Sequence, residues 1–116
     1  MTAEPLVHVV DDDFEIRESL QLLLDSVGLE NKAYASADEF LATYVEDRAR
    51  PAVLLLDVRM PGMSGMALLE QLQARCAAMP IIIITGHGDI DMAVRAMKLG
   101  AVDFITKPFS SQSLLD

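Results

Sequence analysis

The chain has 116 residues, 52% of them apolar, and its 18 acidic and 9 basic side chains give a formal net charge of −9. That length suits one compact domain, and that apolar content excludes disorder. The acidic balance is the opposite of the basic footprint that gripping DNA requires. A single cysteine, Cys76, excludes an internal disulfide and a cysteine-built metal site.

The opening Met-Thr-Ala-Glu-Pro has no basic stretch followed by an apolar one, and no apolar run approaches membrane length. A cytoplasmic protein without membrane contact is the expectation. Leu6–Val10 reads as a first strand running into Asp11, Asp12 and Asp13. Ile16, Leu20, Leu23, Leu24 and Val27 then recur at helical spacing up to Gly28, a helix stop. Leu29–Ala35 reads as a weaker edge strand. Ser36 with Glu39 three residues on resembles a capping box for a helix carrying Phe40, Leu41 and Tyr44.

Pro51 precedes a third strand, Ala52–Leu56, which ends on Asp57 and a turn containing Pro61, Gly62 and Gly65. An unbroken apolar run closed by turn residues predicts a strand buried on both faces. A helix from about Gly65 to Ala78 follows, with Leu68, Leu69 and Leu72 inward. Ile81–Thr85 is a fourth strand, and Gly86-His87-Gly88 a loop. Asp89 caps a helix ending at Gly100, and Val102–Thr106 is a fifth strand before Lys107-Pro108. A last helix begins near Ser111 or Gln112 and stops after barely a turn. Five β-α units in succession predict a parallel sheet with helices on both faces. The short final helix predicts a piece of a longer protein.

Four of these strands end in a functional group: Asp11 and Asp12, Asp57, Thr85, and Lys107. In a parallel sheet those ends share one edge, where ligands of open α/β folds bind. Two carboxylates ~4 Å apart repel by about 4 kcal/mol at an effective dielectric of 20. Three therefore call for more than one lysine, and oxygen ligands without His or Cys favour Mg²⁺. Such a site suits an incoming phosphoryl group that Asp57 attacks to become an aspartyl phosphate.

Val9-Val10-Asp11-Asp12-Asp13, Leu56-Asp57-Val58-Arg59-Met60-Pro61-Gly62, Ile84-Thr85-Gly86 and Thr106-Lys107-Pro108-Phe109 stand in order. With them the chain resembles, over essentially its whole length, the receiver domain of bacterial two-component response regulators. Thr85-Gly86-His87-Gly88-Asp89 and Ala101-Val102-Asp103-Phe104 are most similar to the nitrogen-fixation regulator subfamily, whose members usually carry a helix-turn-helix output domain. The resemblance implies a flavodoxin-like (βα)5 doubly wound sheet of strand order 2-1-3-4-5, the last helix here being truncated. It implies that residues 1–116 are a receiver domain at the N-terminal part of a regulator with a C-terminal DNA-binding domain.

It also implies roles. Asp57 is the phosphoacceptor for a sensor histidine kinase. Asp12, Asp57 and the backbone carbonyl of Arg59 hold Mg²⁺, with Asp11 acting through water. Thr85 is the switch hydroxyl, Lys107 pairs with the phosphate, and Lys107–Pro108 is a cis peptide. Phe104 occupies the aromatic switch position without a hydroxyl, so only ring burial reports the state. The implied function is control of an output domain, with homodimerisation on phosphorylation, and contact with DNA only through that further domain.

Plainer roles suit several other residues. Asp13 reads as a helix N-cap, His8 as a satisfied core histidine, and Cys76 as a small hydrophobe. Met60, Met63 and Met66 read as loop packing. His87 is equally a surface or a gating residue, and the Arg59 side chain shades the phosphoryl position. In the fourth helix, Ile90, Ala93, Val94 and Met97 are expected to face the sheet, while Asp91, Arg95 and Lys98 form a charged arc. Met92, Ala96 and Leu99 form a second apolar stripe. Met92, Arg95 and Leu99 are therefore candidates for a partner face shared with the fifth strand.

Three other functions compete with the transcription switch. A Mg²⁺-dependent phosphatase of the haloacid-dehalogenase type would carry a second acid where Arg59 stands. A nucleotide-binding module is suggested by Gly86-x-Gly88, but Asp91 replaces the third glycine. A stand-alone adaptor would be the same domain without DNA output.

Overall fold

A computed structural model describes residues 5–44, 50–58, 60, 62–75, 79–86 and 90–106. In chain order it contains β1 (Leu6–Val10), α1 (Phe14–Ser26), β2 (Glu30–Tyr34), α2 (Ala37–Thr43), β3 (Ala52–Asp57), α3 (Gly65–Ala74), β4 (Ile81–Thr85), α4 (Ile90–Lys98) and β5 (Asp103–Thr106). The strands form one parallel sheet in the order β2-β1-β3-β4-β5. This is the flavodoxin-like order, as expected. Cys76, Asp89, the loop residues His87 and Gly88, and everything from Lys107, including the expected last helix, lie outside the described residues.

Alternation along the central strands builds two cores. Val10, Leu54 and Leu56 pack on one face with Phe40 of α2 and Leu68, Leu69 and Leu72 of α3. Val7, Val9 and Leu55 pack on the other with Leu20 and Leu24 of α1. Because β1 and β3 are covered on both faces, they read as continuous apolar runs.

Local chemistry sets most helix ends. Asp13 caps α1 by accepting from the Glu15 N–H, and Ser36 caps α2 by accepting from the Glu39 N–H. Ser64 caps α3 through the Ala67 N–H, a cap absent from the sequence reading. Gly28, at φ 78°, lets the chain turn out of α1. Val27, expected on the buried stripe, is the C-cap of α1 and lies exposed. The α3 helix ends at Ala74, where the expectation ran to about Ala78, and Arg75 is its C-cap, donating its N–H to Gln71 O.

The α4 helix bears out the periodicity reading at Ala93 and departs from it at Val94, Ala96 and Met97. Ala93 and Ala96 are fully buried, whereas Val94 (44%) and Met97 (38%) are exposed. Ala96 packs in the core with Ile81, Ile83 and Ala101, and Met92 is half-buried against the same cluster. The buried face therefore takes small side chains, and two larger ones turn outwards. Leu99 and Arg95 stay on the surface as expected, but Met92 does not form a free stripe with them.

Candidate acidic phosphoacceptor site

Register brings the acids together. Pairing of Val10 with Leu56 sets the ends of β1 and β3 level, so Asp11 and Asp57 emerge side by side. Carboxylate oxygens of Asp11, Asp12 and Asp57 all lie within 4.8 Å of one another. Asp11 is fully buried, Asp57 is only 5% exposed, and Asp12 faces solvent. At an effective dielectric of 20, each pair of charges at that spacing repels by about 3.5 kcal/mol. A fold that places three there is shaped for positive charge.

The turn after β1 is tied at several points. The Asp11 N–H donates to the Tyr34 carbonyl at 3.2 Å, and Asp11 Oδ1 accepts from the Asp13 N–H at 2.9 Å. The Asp11 carbonyl accepts from Arg17 Nη1 at 2.8 Å. On the β3 side, the Val58 N–H donates to Ile84 O at 3.3 Å, and the Gly65 N–H to Val58 O at 3.1 Å. A Cβ at Gly65 would strike the Asp57 carbonyl and Val58 Cα, so only glycine lets α3 start against the acid-bearing strand end.

Sequence reasoning missed Arg17 and Gly65 because both act on the main chain. A signal existed for Arg17: a cation near a helix N-terminus opposes the macrodipole, which suggests a local acceptor.

The donor set fits a hard divalent cation. It is all carboxylate oxygen, the donor type that such an ion prefers, and Asp12 is exposed to the water that the ion retains. Of the other predicted site residues, Thr85 ends β4 opposite Thr106 of β5, one residue beyond the Asp57–Ile84 pair. Phe104 is half-buried against the core. Arg59 and Lys107, and with them the expected cis peptide, lie outside the described residues.

His8 and Asp13 have the plainer roles expected of them. His8 Nδ1 is 3.0 Å from the Tyr34 hydroxyl, and Asp13 is the cap of α1. Met60 is buried, and Met63 and Met66 pack against the core, as read from sequence. A recess of about 440 Å³, lined in part by Leu6, His8, Lys32, Tyr34 and Tyr44, lies at the other end of β1, away from the acids.

Comparison with known proteins agrees with this arrangement. The chain is 51% identical over 110 residues to the transcriptional regulatory protein FixJ of Azorhizobium caulinodans, covering 94% of this chain and 51% of that protein. It is 50% identical over 115 residues to Nodulation protein W of Bradyrhizobium diazoefficiens, covering 99% and 50%. The chain thus spans about half the length of these curated relatives.

Among solved structures, the N-terminal part of FixJ superposes with a TM-score of 0.88 at 46% identity, covering 99% of this chain and 90% of that one. The response regulator StyR superposes with a TM-score of 0.89 at 51% identity, covering 98% and 57%. The response regulator receiver domain profile matches residues 7–116. With its strand order, its acid cluster and this match, the chain belongs to the response regulator receiver domain family, a family of signalling domains.

Proposed function

We propose that this domain is a phosphorylation-driven switch in which Asp57 accepts a phosphoryl group from a sensor histidine kinase. The observation carrying this reading is the meeting of Asp11, Asp12 and Asp57 oxygens within 4.8 Å at adjacent strand ends. Asp12, Asp57 and the Arg59 carbonyl would hold Mg²⁺ directly, with Asp11 acting through water. The ion would neutralise the crowded carboxylates and the oxygens of the arriving group.

The chain's own residues perform the remaining work. A carboxylate oxygen of Asp57 forms the new P–O bond as the P–N bond to the donor imidazole breaks, and that imidazole keeps the electron pair and takes up a proton. Lys107 pairs with the phosphoryl oxygens. Thr85 moves towards them and Phe104 rotates into the space behind it. The equilibrium between two conformations then shifts by typically 1–3 kcal/mol of coupling. The domain turns over no external substrate beyond its own phosphorylation and dephosphorylation.

The output reading follows from the relatives. FixJ is a transcriptional regulator about twice this length. Residues 1–116 are accordingly read as the N-terminal receiver of a cytoplasmic transcription regulator, with DNA contacted only by a C-terminal domain. No helix among the described residues is long and apolar enough to cross a membrane. Dimerisation on phosphorylation is assigned to the α4–β5 face, where Val94, Met97, Leu99 and Val102 are exposed apolar residues next to Arg95.

Incubation with a small acyl phosphate and Mg²⁺ tests the central step. Stoichiometric labelling that Asp57→Asn abolishes supports the switch. Repeated turnover of varied phosphoesters would make the domain a phosphatase instead.

A further inference from the structure

We propose that Arg17 is a positioning residue for the acid site, holding the Asp11–Asp13 turn through the Asp11 carbonyl. The proposal rests on the reading of that site as a magnesium-dependent phosphoacceptor. It starts from an anomaly in α1. Arg17 lies four residues after the N-cap Asp13, where the helix dipole disfavours a cation. Its side chain is half-buried. Nη1 donates to Asp11 O at 2.8 Å, and the guanidinium carbon lies 5.7 Å from the centre of the Phe14 ring.

The main chain closes the same loop from the other side. The Arg17 N–H donates to Asp13 O at 3.0 Å, and the Asp13 N–H donates to Asp11 Oδ1 at 2.9 Å. The carbonyl and the carboxylate of Asp11 are thus gripped separately. Arg17 holds the first, so the second is set relative to Asp12 and Asp57. Loss of Arg17 would leave the carbonyl of a fully buried residue without that donor, and the turn would relax to recover one.

Two roles for a cation here predict opposite signs. A residue that acts only as positive charge repels magnesium, so neutralising it would tighten magnesium binding. A residue that sets geometry helps the acids converge, so removing it weakens binding, by about tenfold or more for partners that orient ligands. We assign the second role.

The test is calorimetric titration of the whole chain with MgCl₂, without phosphodonor, in wild type, Arg17→Lys, Arg17→Gln and Arg17→Met. The proposal expects magnesium affinity to fall about tenfold in Arg17→Gln and Arg17→Met. Arg17→Lys, which keeps a donor on a flexible stem, should lie between them and wild type. Unchanged or tighter binding in the Gln and Met variants overturns it.

Amide hydrogen exchange of metal-free protein gives a second readout. Protection of the Asp11 and Asp13 N–H groups should drop in Arg17→Gln while that of β3 stays constant; equal protection in wild type and variant overturns the proposal. Should Arg17→Met not fold, the Gln variant decides. If wild type takes up no magnesium, the reading of the site fails, and the exchange experiment still judges Arg17.

Discussion

Two buried polar groups lie three residues apart along β1, His8 in its middle and Asp11 just past its end, and their surroundings differ in kind. His8 is ringed by aromatic side chains: Tyr34, Phe40 and Tyr44 have ring centres 5.4 to 5.8 Å from its own. Burial and the nearby Lys32 and Arg50 hold its imidazole below the usual pKa, so it stays neutral beside the Tyr34 hydroxyl. Asp11 instead meets two further carboxylates. The middle of β1 satisfies its polar group with rings and a hydrogen bond. The other position brings carboxylates together, an arrangement that a bound cation would favour. The first position is built for folding and the second for an event.

Substitutions at the two positions should separate stability from metal binding. The largest effect on stability belongs to Phe40, fully buried between the rings and the sheet. Phe40→Ala should cost about 3–5 kcal/mol in urea unfolding, with magnesium affinity of the folded fraction unchanged. At the acid end, Asp12→Asn should weaken magnesium binding by about 10- to 100-fold, or ~1.4–2.8 kcal/mol, in a calorimetric titration. Its metal-free melting temperature should not fall, since one of three crowded charges is gone. A drop in stability with intact metal affinity would erase the distinction.

Gly65→Ala sharpens the comparison, because Gly65 touches the Asp57 main chain although it carries no functional group. Forcing a Cβ into that contact should cost about 1–3 kcal/mol and also slow labelling by acyl phosphate. The smallest effect concerns pH. His8 has a folded pKa lowered from about 6.5, so the unfolded chain binds the proton more readily. Its contribution to stability is therefore complete above pH 6.5 and is lost as pH falls through the lowered folded value. His8→Phe should flatten that part of a stability-against-pH curve, measured by urea unfolding between pH 5 and pH 7. Magnesium affinity should not change.

Most of this architecture was legible in the sequence, because the strands that carry the site are buried on both faces and read as apolar runs. β1 was legible to the residue, and β3 to within one. Their acids follow at once, so convergence of Asp11, Asp12 and Asp57 needed only the parallel order of the sheet. Helix α4 was harder. Its periodicity puts Ala93, Val94 and Met97 with Ile90 on the buried face; Ala93 is buried as expected, but the core takes Ala96 in place of Val94 and Met97. Hydrophobic pattern weighs size as burial, and a close helix–sheet approach reverses that preference. The end of α3 carried no stop signal. Arg17 and Gly65 escaped because they serve the acids through carbonyl oxygens, which no side-chain motif advertises.

The most direct test of the account is where phosphate settles. Wild-type protein is incubated with a small acyl phosphate with and without magnesium, reduced with borohydride, and sequenced by mass spectrometry. The account predicts that an aspartyl phosphate, trapped as homoserine, forms at position 57 and only when magnesium is present. A trapped residue elsewhere, or equal trapping at position 57 without magnesium, would contradict it.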